Sequence, residues 1–238
     1  MTQSVGAIVV DFDGTVVDED VSEEILQAFA PGDWWDIDLE FQRGEIGSRE
    51  CLTRQAALLR GTQEEMLAYA VNHYSLDPTF GPFVSWARGA GIRVAVASDG
   101  FGFYVEAMLR AAGVSEVAVH SNRVSIREGR APVFDFPEAH PICPTCGTCK
   151  MSIVQRYRAT RGTVAFVGEG HTDRYGALYA DIVFAKKQLP EICRADGVPF
   201  IEWRTFDDVR AALEAMDAAP GPIAPARCPG WPASIGSA

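Results

Sequence analysis

Four apolar residues followed by two acids constrain this chain more than any other stretch. Ala7-Ile8-Val9-Val10 is short, apolar and rich in β-branched side chains, which reads as a parallel strand buried on both faces. It stops at Asp11-Phe12-Asp13-Gly14-Thr15. On an extended backbone, positions i and i+2 point to the same side. Asp11 and Asp13 therefore both project from the carboxyl end of the strand, where open α/β sheets bind ligands. Two neighbouring carboxylates repel unless a cation or a shared proton offsets them. Mg²⁺, which takes one or two carboxylates plus phosphate oxygens, is the simplest partner. Read alone, the stretch is also an acidic turn with Asp13-Gly14 as its turn dipeptide. Partners at the ends of other strands decide between the two readings.

Such partners exist. Ile92–Ala97 is a second apolar run and ends at Ser98-Asp99-Gly100, with a helix expected from about Phe103 to Ala112. A hydroxyl and free N–H groups before a helix favour a phosphate. Ser98 or Asp99 can equally cap that helix, and we assign Asp99 to capping. Val117–Val119 reads as a third strand. Thr163–Val167 reads as a fourth, and it runs into Gly168-Glu169-Gly170-His171-Thr172-Asp173. A second pair of acids thus follows a strand; His171 reads as a loop residue near substrate. Asp181–Ala185 is a fifth strand, Val198–Ile201 an edge strand, and about Phe206–Met216 a last helix.

Between Val17 and Gly91 the signals are helical. Asp20 with Glu23, and Thr62 with Glu65, have capping-box spacing. Helices are expected from Asp20 to Pro31, from about Ser48 to Arg60, from Thr62 to Tyr74 and from Thr79 to Gly89, with an aromatic-rich patch at Trp34–Phe41. An ordinary crossover needs one helix, so residues 17–80 read as an inserted helical cap on a core of residues 1–16 and 81–217. Asp20 and Trp35 are the candidates there for reading substrate. Residues 218–238, rich in Ala, Pro and Gly, are expected to be a disordered tail.

Charge narrows the partners. Lys plus Arg number 21 against 32 Asp plus Glu, for a net −11, and such a chain repels a nucleic-acid backbone. No apolar run approaches a membrane span, and the N-terminus lacks a signal-peptide pattern. Cytoplasmic residence is the expectation. The oligomeric state is not legible.

Taken in order, these motifs resemble the haloacid-dehalogenase-like phosphatases, in the phosphoserine-phosphatase-like branch. The resemblance implies a Rossmann-like α/β fold, a parallel sheet flanked by helices with an inserted cap. It implies Asp11 as nucleophile and Asp13 as general acid/base. It puts Ser98, with Asp99 and Gly100 beside it, and Lys150 on the phosphate, and Asp11, Asp13, Glu169 and Asp173 on Mg²⁺. The substrate implied is a small phosphorylated metabolite. One position departs from the pattern: Glu169 stands where the family has Asp. Asp11-Phe-Asp-Gly-Thr, Cys146-Gly-Thr-Cys149-Lys150 and Phe184-Ala185-Lys186 add a narrower resemblance to phosphatases of methionine salvage. Monoesters bearing an amine, of phosphoserine, phosphocholine or phosphoethanolamine type, stay open, since an acid among Asp18, Glu19 and Asp20 can bind an ammonium group. A catalytically silent regulatory protein also stays open, because of Glu169.

Cys143, Cys146 and Cys149, with His140 nearby, raise a zinc reading. Structural zinc sites usually bring paired ligands from two separate places, which favours reduced cysteines or one disulfide supporting the loop before Lys150. Nothing in an aspartyl-phosphate mechanism requires a thiol.

Overall fold

The computed structural model describes residues 5–216 and Cys228. The tail expected at 218–238 lies, Cys228 apart, outside the described residues.

The sheet follows from the apolar runs. β1 (Ala7–Val10), β2 (Arg93–Ser98), β3 (Ala118–Ser121), β6 (Val164–Gly168), β7 (Ile182–Ala185) and β8 (Ile201–Glu202) form one parallel sheet in the order β3-β2-β1-β6-β7-β8. β4 (Arg123–Ser125) and β5 (Val133–Asp135) make a separate antiparallel hairpin. Alternate residues of a strand face opposite sides, and both sides here are covered. Ile8, Val10, Val96 and Val167 join one buried cluster, while Ala7, Val9, Val164 and Phe166 join another. This is why the strands read as continuous rather than alternating apolar runs.

Helices cover both faces. α5 (Phe80–Gly89), α6 (Val105–Ala111) and α10 (Phe206–Ala215) supply Phe80, Phe83, Val105 and Phe206 to the first cluster. α7 (Lys150–Arg161), α8 (Arg174–Tyr179) and α9 (Leu189–Asp196) supply Met151, Val154, Ala177 and Leu189 to the second. Four helices occupy the chain between β1 and α5: α1 (Val21–Phe29), α2 (Trp34–Gln42), α3 (Ser48–Ala56) and α4 (Gln63–His73). Asp20 caps α1 by accepting from the Glu23 N–H, and Thr62 with Glu65 closes a full capping box on α4. The aromatic patch is itself a helix, α2. The entry and exit of this helical stretch meet, since Val17 bridges Leu76 and the Asp77 N–H donates to Val16 O at 2.8 Å. Among the described residues no helix is long and apolar enough to cross a membrane.

Phe166 shows how tightly the second face is built. Its ring lies where side chains at Gly168 and Gly176 would stand: a Cβ at Gly176 would come within 2.4 Å of it. Phe166→Ala leaves a cavity that rigid glycine backbone cannot refill, and we expect a loss of about 3–5 kcal/mol, read as a lower urea midpoint at unchanged slope.

Candidate active site

The strand order reverses between β1 and β6, the one place where neighbouring connections leave in opposite directions and open a crevice. Asp11 follows β1 and Glu169 follows β6, and the ladder continues between them, Asp11 N–H donating to Val167 O at 2.9 Å. A short 3-10 turn, His171–Asp173, returns the chain to the strand end. There Asp173 Oδ2 accepts from the N–H groups of Glu169 (2.8 Å) and Gly170 (3.1 Å). One carboxylate oxygen from each of Asp11, Glu169 and Asp173 lies within 4.8 Å of the other two.

Lys150, the first residue of α7, offsets this charge. Its ammonium is buried and donates to Asp11 Oδ1 at 2.5 Å, Asp173 Oδ1 at 2.6 Å and Thr172 Oγ1 at 3.1 Å. Burying a charge costs several kcal/mol unless it is paired and hydrogen-bonded. Burial opposes the Lys150 charge, but Asp11 and Asp173 outweigh it and hold the ammonium above its ordinary range. The acids remain crowded. Burial, then the Asp173 charge, push Asp11 up to about 7 against the pull of Lys150. Burial, then Asp11 and Asp173, push Glu169 up to about 8.

Asp13 belongs to the opposite wall. Tyr104 Oη donates to its carboxylate at 2.8 Å, Ser98 Oγ at 3.2 Å and the Val21 N–H at 3.1 Å. Ser22 Oγ pairs with Tyr104 Oη at 2.7 Å. Burial, then Asp20 and Asp11, hold Asp13 well above the usual carboxylate range. Its carboxylate is therefore turned to this hydroxyl cluster, while the three oxygens that gather belong to Asp11, Glu169 and Asp173. Gly100 is required here, because a Cβ would come within 2.4 Å of Tyr104 Oη and 2.8 Å of Asp13 Oδ2. Its N–H donates to Ser98 Oγ at 3.2 Å.

Asp99 does not cap the following helix. α6 begins only at Val105, and a capping side chain must immediately precede the first helical residue. The buried Asp99 carboxylate accepts instead from Ser48 Oγ (2.5 Å), the Thr148 N–H (2.6 Å) and Asn122 Nδ2 (3.1 Å). It joins α3, the end of β3 and the loop before Lys150. The Gly147 N–H to Ser48 Oγ bond (3.2 Å) and the Arg49 N–H to Thr145 O bond (3.1 Å) reinforce that junction.

A cleft opens above these groups. Asp11, Asp13, Ser22, Asp99, Gly100, Glu169 and Thr172 line its floor, and Asp20, Glu23, Asp38, Phe41 and Gln55 its helical side. Trp35 is not among the lining residues; it is exposed and stacks edge-on against Trp34. On α2, Asp38 and Phe41 are three apart and share a face, and both line the cleft, whereas Trp35 is exposed. That face was invisible while the patch lacked a helical reading. His171 is exposed, and its neighbour Thr172 lines the cleft. Tyr104, Ser22, Ser48, Asn122, Thr148 and Thr172 carried no motif signal. Only their neighbours across the fold make them part of the site.

The three clustered carboxylates fit a hard divalent cation, which favours oxygen ligands. The longer Glu169 side chain packs across the site against Gly14. A Cβ at Gly14 would lie 2.7 Å from Glu169 Cδ, and Gly14 has φ +71°, a conformation that glycine adopts freely.

A parallel α/β sheet that gathers three acids and one buried lysine at its switch point defines a doubly wound α/β protein with its site at the strand ends. The chain belongs to the haloacid dehalogenase-like hydrolase family, whose sequence pattern matches residues 8–177. It is similar to the 2-hydroxy-3-keto-5-methylthiopentenyl-1-phosphate phosphatase of Brevibacillus brevis, with 28% identity over 209 residues, 87% of this chain and 94% of that protein. The protein of the same name from an Exiguobacterium species is 27% identical over 213 residues, covering 88% and 98%. A solved phosphoserine phosphatase holding a phospho-aspartyl intermediate analogue has the same fold, with a TM-score of 0.66 at 18% identity over 88% of this chain and 99% of that one. Within its family the chain is a phosphatase.

Without metal, the folded Glu169 carboxyl ionises at about 8, against 4.5 for an ordinary glutamate. Between those values the unfolded chain is ionised there and the folded chain is not, so stability at this position falls as pH rises through the window. Glu169→Gln cannot ionise. In chelator, its melting temperature should gain on wild type progressively from about pH 5 to about pH 8; a difference constant with pH would contradict the burial of this charge.

Proposed function

We propose that the protein is a Mg²⁺-dependent phosphomonoesterase that works through an aspartyl-phosphate on Asp11. The observation that carries the reading is the Asp11 carboxylate at the switch point, held by Lys150 on Oδ1 and by Thr15 Oγ1 on Oδ2 at 3.2 Å. Each oxygen keeps a further lone pair, so the group is oriented without being blocked. Asp11, Glu169 and Asp173 would hold Mg²⁺, which when bound supplies charge neutralisation to the phosphate.

In the proposed reaction, an Asp11 oxygen attacks phosphorus and the ester oxygen leaves with a proton from Asp13. Asp13 is suited to donate, because burial, then Asp20 and Asp11, raise its hold on a proton. Asp13 then accepts a proton from water as that water attacks phosphorus. The P–O bond to Asp11 breaks, and inorganic phosphate departs. Lys150, Ser98 and the backbone at Asp99 and Gly100 would steady the phosphoryl oxygens. The helical stretch 17–80 would act as a cap that excludes bulk water and meets the leaving group.

2-Hydroxy-3-keto-5-methylthiopentenyl-1-phosphate is the substrate we favour, supported by the names of the curated relatives at 27–28% identity. A second reading, a small amine-bearing monoester, is supported by Asp20, Glu23 and Asp38 on the helical side of a cleft with no Lys or Arg among its lining residues.

Asp11→Asn should fold as wild type and lose essentially all turnover of both a generic aryl phosphate and the favoured substrate; retained turnover in a clean preparation excludes the mechanism. Chelator should abolish activity and Mg²⁺ should restore it. Glu169→Ala should then require at least about tenfold more Mg²⁺ for half-maximal rate, as removal of a direct or water-bridged ligand predicts. An unchanged Mg²⁺ titration would remove Glu169 from the site.

A further inference from the structure

Among the described residues, Tyr104 alone hydrogen-bonds both oxygens of Asp13, at 2.8 Å each, and the proposed reaction gives it no task. It is not a lining residue of the cleft, so it does not reach substrate. Its ring is fully buried, edge-on to Phe103 at 5.5 Å and tilted against Phe12 at 6.0 Å. Tyr104 stands just before α6, where the backbone is pinned. The Val105 N–H donates to Gly102 O at 3.2 Å, and a Cβ at Gly102 would come within 1.9 Å of Asn122 O. Gly100 leaves open the space that the hydroxyl occupies, since a Cβ there would meet Tyr104 Oη. The phenol is therefore aimed at Asp13 from a fixed position.

The direction of its hydrogen bonds follows from its partners. A phenol keeps its proton below about pH 10, an ionised carboxylate only accepts, and a protonated one still offers acceptor lone pairs. Tyr104 thus donates its single proton to Asp13. Its bond to Ser22 Oγ, 2.7 Å long, then runs the other way, with Ser22 donating. Ser22 Oγ in turn accepts from the Phe101 N–H at 3.2 Å. Phe101 N–H, Ser22, Tyr104 and Asp13 form one chain with one direction, and it ends on the acid. Ser22 and Val21 are the first two residues of α1, and the Val21 N–H is a further donor to Asp13. The start of α1 and the acid are held as a unit.

We propose that Tyr104 is a positioning residue for departure of the leaving group: its hydroxyl, oriented by Ser22, fixes the plane of the Asp13 carboxyl and stabilises it as its proton passes to the ester oxygen. This rests on the phosphatase reading above, with Asp13 as the acid. The terminal torsion of an aspartate is soft, so its partners set its plane. Ser98 and the Val21 N–H hold one oxygen each, and Tyr104 spans the two. During departure the O–H bond of Asp13 breaks and a bond from that proton to the ester oxygen forms. The electron pair of the breaking P–O bond goes to the same oxygen. Negative charge grows on Asp13 at that moment, so a donor to it stabilises the transition state more than the ground state. The effect depends on the ester. A poor leaving group needs the proton as the bond breaks, whereas p-nitrophenolate departs without it. Tyr104 thereby directs the enzyme toward esters of weakly acidic alcohols.

The test compares phenyl phosphate with p-nitrophenyl phosphate, similar in shape but different in leaving-group acidity, on the full chain at saturating Mg²⁺. The ratio kcat/KM refers to free enzyme and ester, so it reads phosphoryl transfer to Asp11 and not the later hydrolysis. Tyr104→Phe keeps the ring and its packing. It should lower kcat/KM for phenyl phosphate at least about tenfold more than for p-nitrophenyl phosphate, the loss expected for one hydrogen bond to a charged group. Its Mg²⁺ titration should match wild type. Ser22→Ala should show the same bias at about twofold or more, and it carries the test should Tyr104→Phe fail to fold. Asp13→Asn is the reference and should show the strongest bias in its residual turnover. Equal losses on the two esters, or no loss, overturn the inference and leave the mechanism standing, provided that Asp13→Asn shows the bias. A shifted Mg²⁺ titration in Tyr104→Phe equally overturns it, because Tyr104 would then act on the acid triad. If Asp13→Asn itself shows no bias, Asp13 is not the acid, and the proposed mechanism falls together with the inference.

Discussion

Two buried carboxylates, a third partly buried one and a single lysine are the interaction on which the site depends. Asp11 and Asp173 repel each other and Glu169, and folding brings them together only because Lys150 donates to two of the three. The pairing is incomplete, with one buried cation among three acids. That residual negative charge is what makes the cluster receptive to a divalent ion. The same imbalance raises Asp11 and Glu169 above their ordinary values. The sheet carries this because strand ends are held by ladders on both sides: β1 pairs with β2 and β6 over its whole length.

Asp99 organises the second part of the site. Among the described residues its carboxylate forms no ion pair and is satisfied by three donors from three different parts of the chain. Those donors lie on α3, at the end of β3 and in the loop before Lys150, so a single buried acid holds the helical stretch, the sheet and the lysine loop in one register. A buried acceptor with its donors met contributes modestly, while losing those donors costs more, which makes this junction selective for one docking of α3.

The legible part of the site was the part carried by strand ends. Asp11, Ser98, Lys150, Glu169 and Asp173 each lie at the boundary of an apolar run or at the start of a helix, and local pattern locates such boundaries. The illegible part was what those groups touch. Tyr104 and Ser22 hold Asp13 from the far side of a helix start and a helical insertion. Ser48 and Thr148 hold Asp99 from 51 and 49 residues away. Such partners share no period with the residues they serve. Trp35 and Asp99 were misplaced for the same reason, the first by an unseen helical face and the second by a helix that starts later than its pattern implied.

The amino-acid sequence by itself determined the alternation of strand and helix, the sheet's burial on both faces and the order of the acidic strand ends, while Lys150 was singled out through the family resemblance. The first three depend on side-chain period and on polar residues ending apolar runs, which are local properties. Only the tertiary structure decided that β1 and β6 are neighbours across the switch point, that Asp13 faces hydroxyls while Glu169 joins Asp11, and that Gly14 makes room for Glu169. Each of these is a contact between residues distant in the chain, fixed by which surfaces bury one another, and no local pattern encodes it.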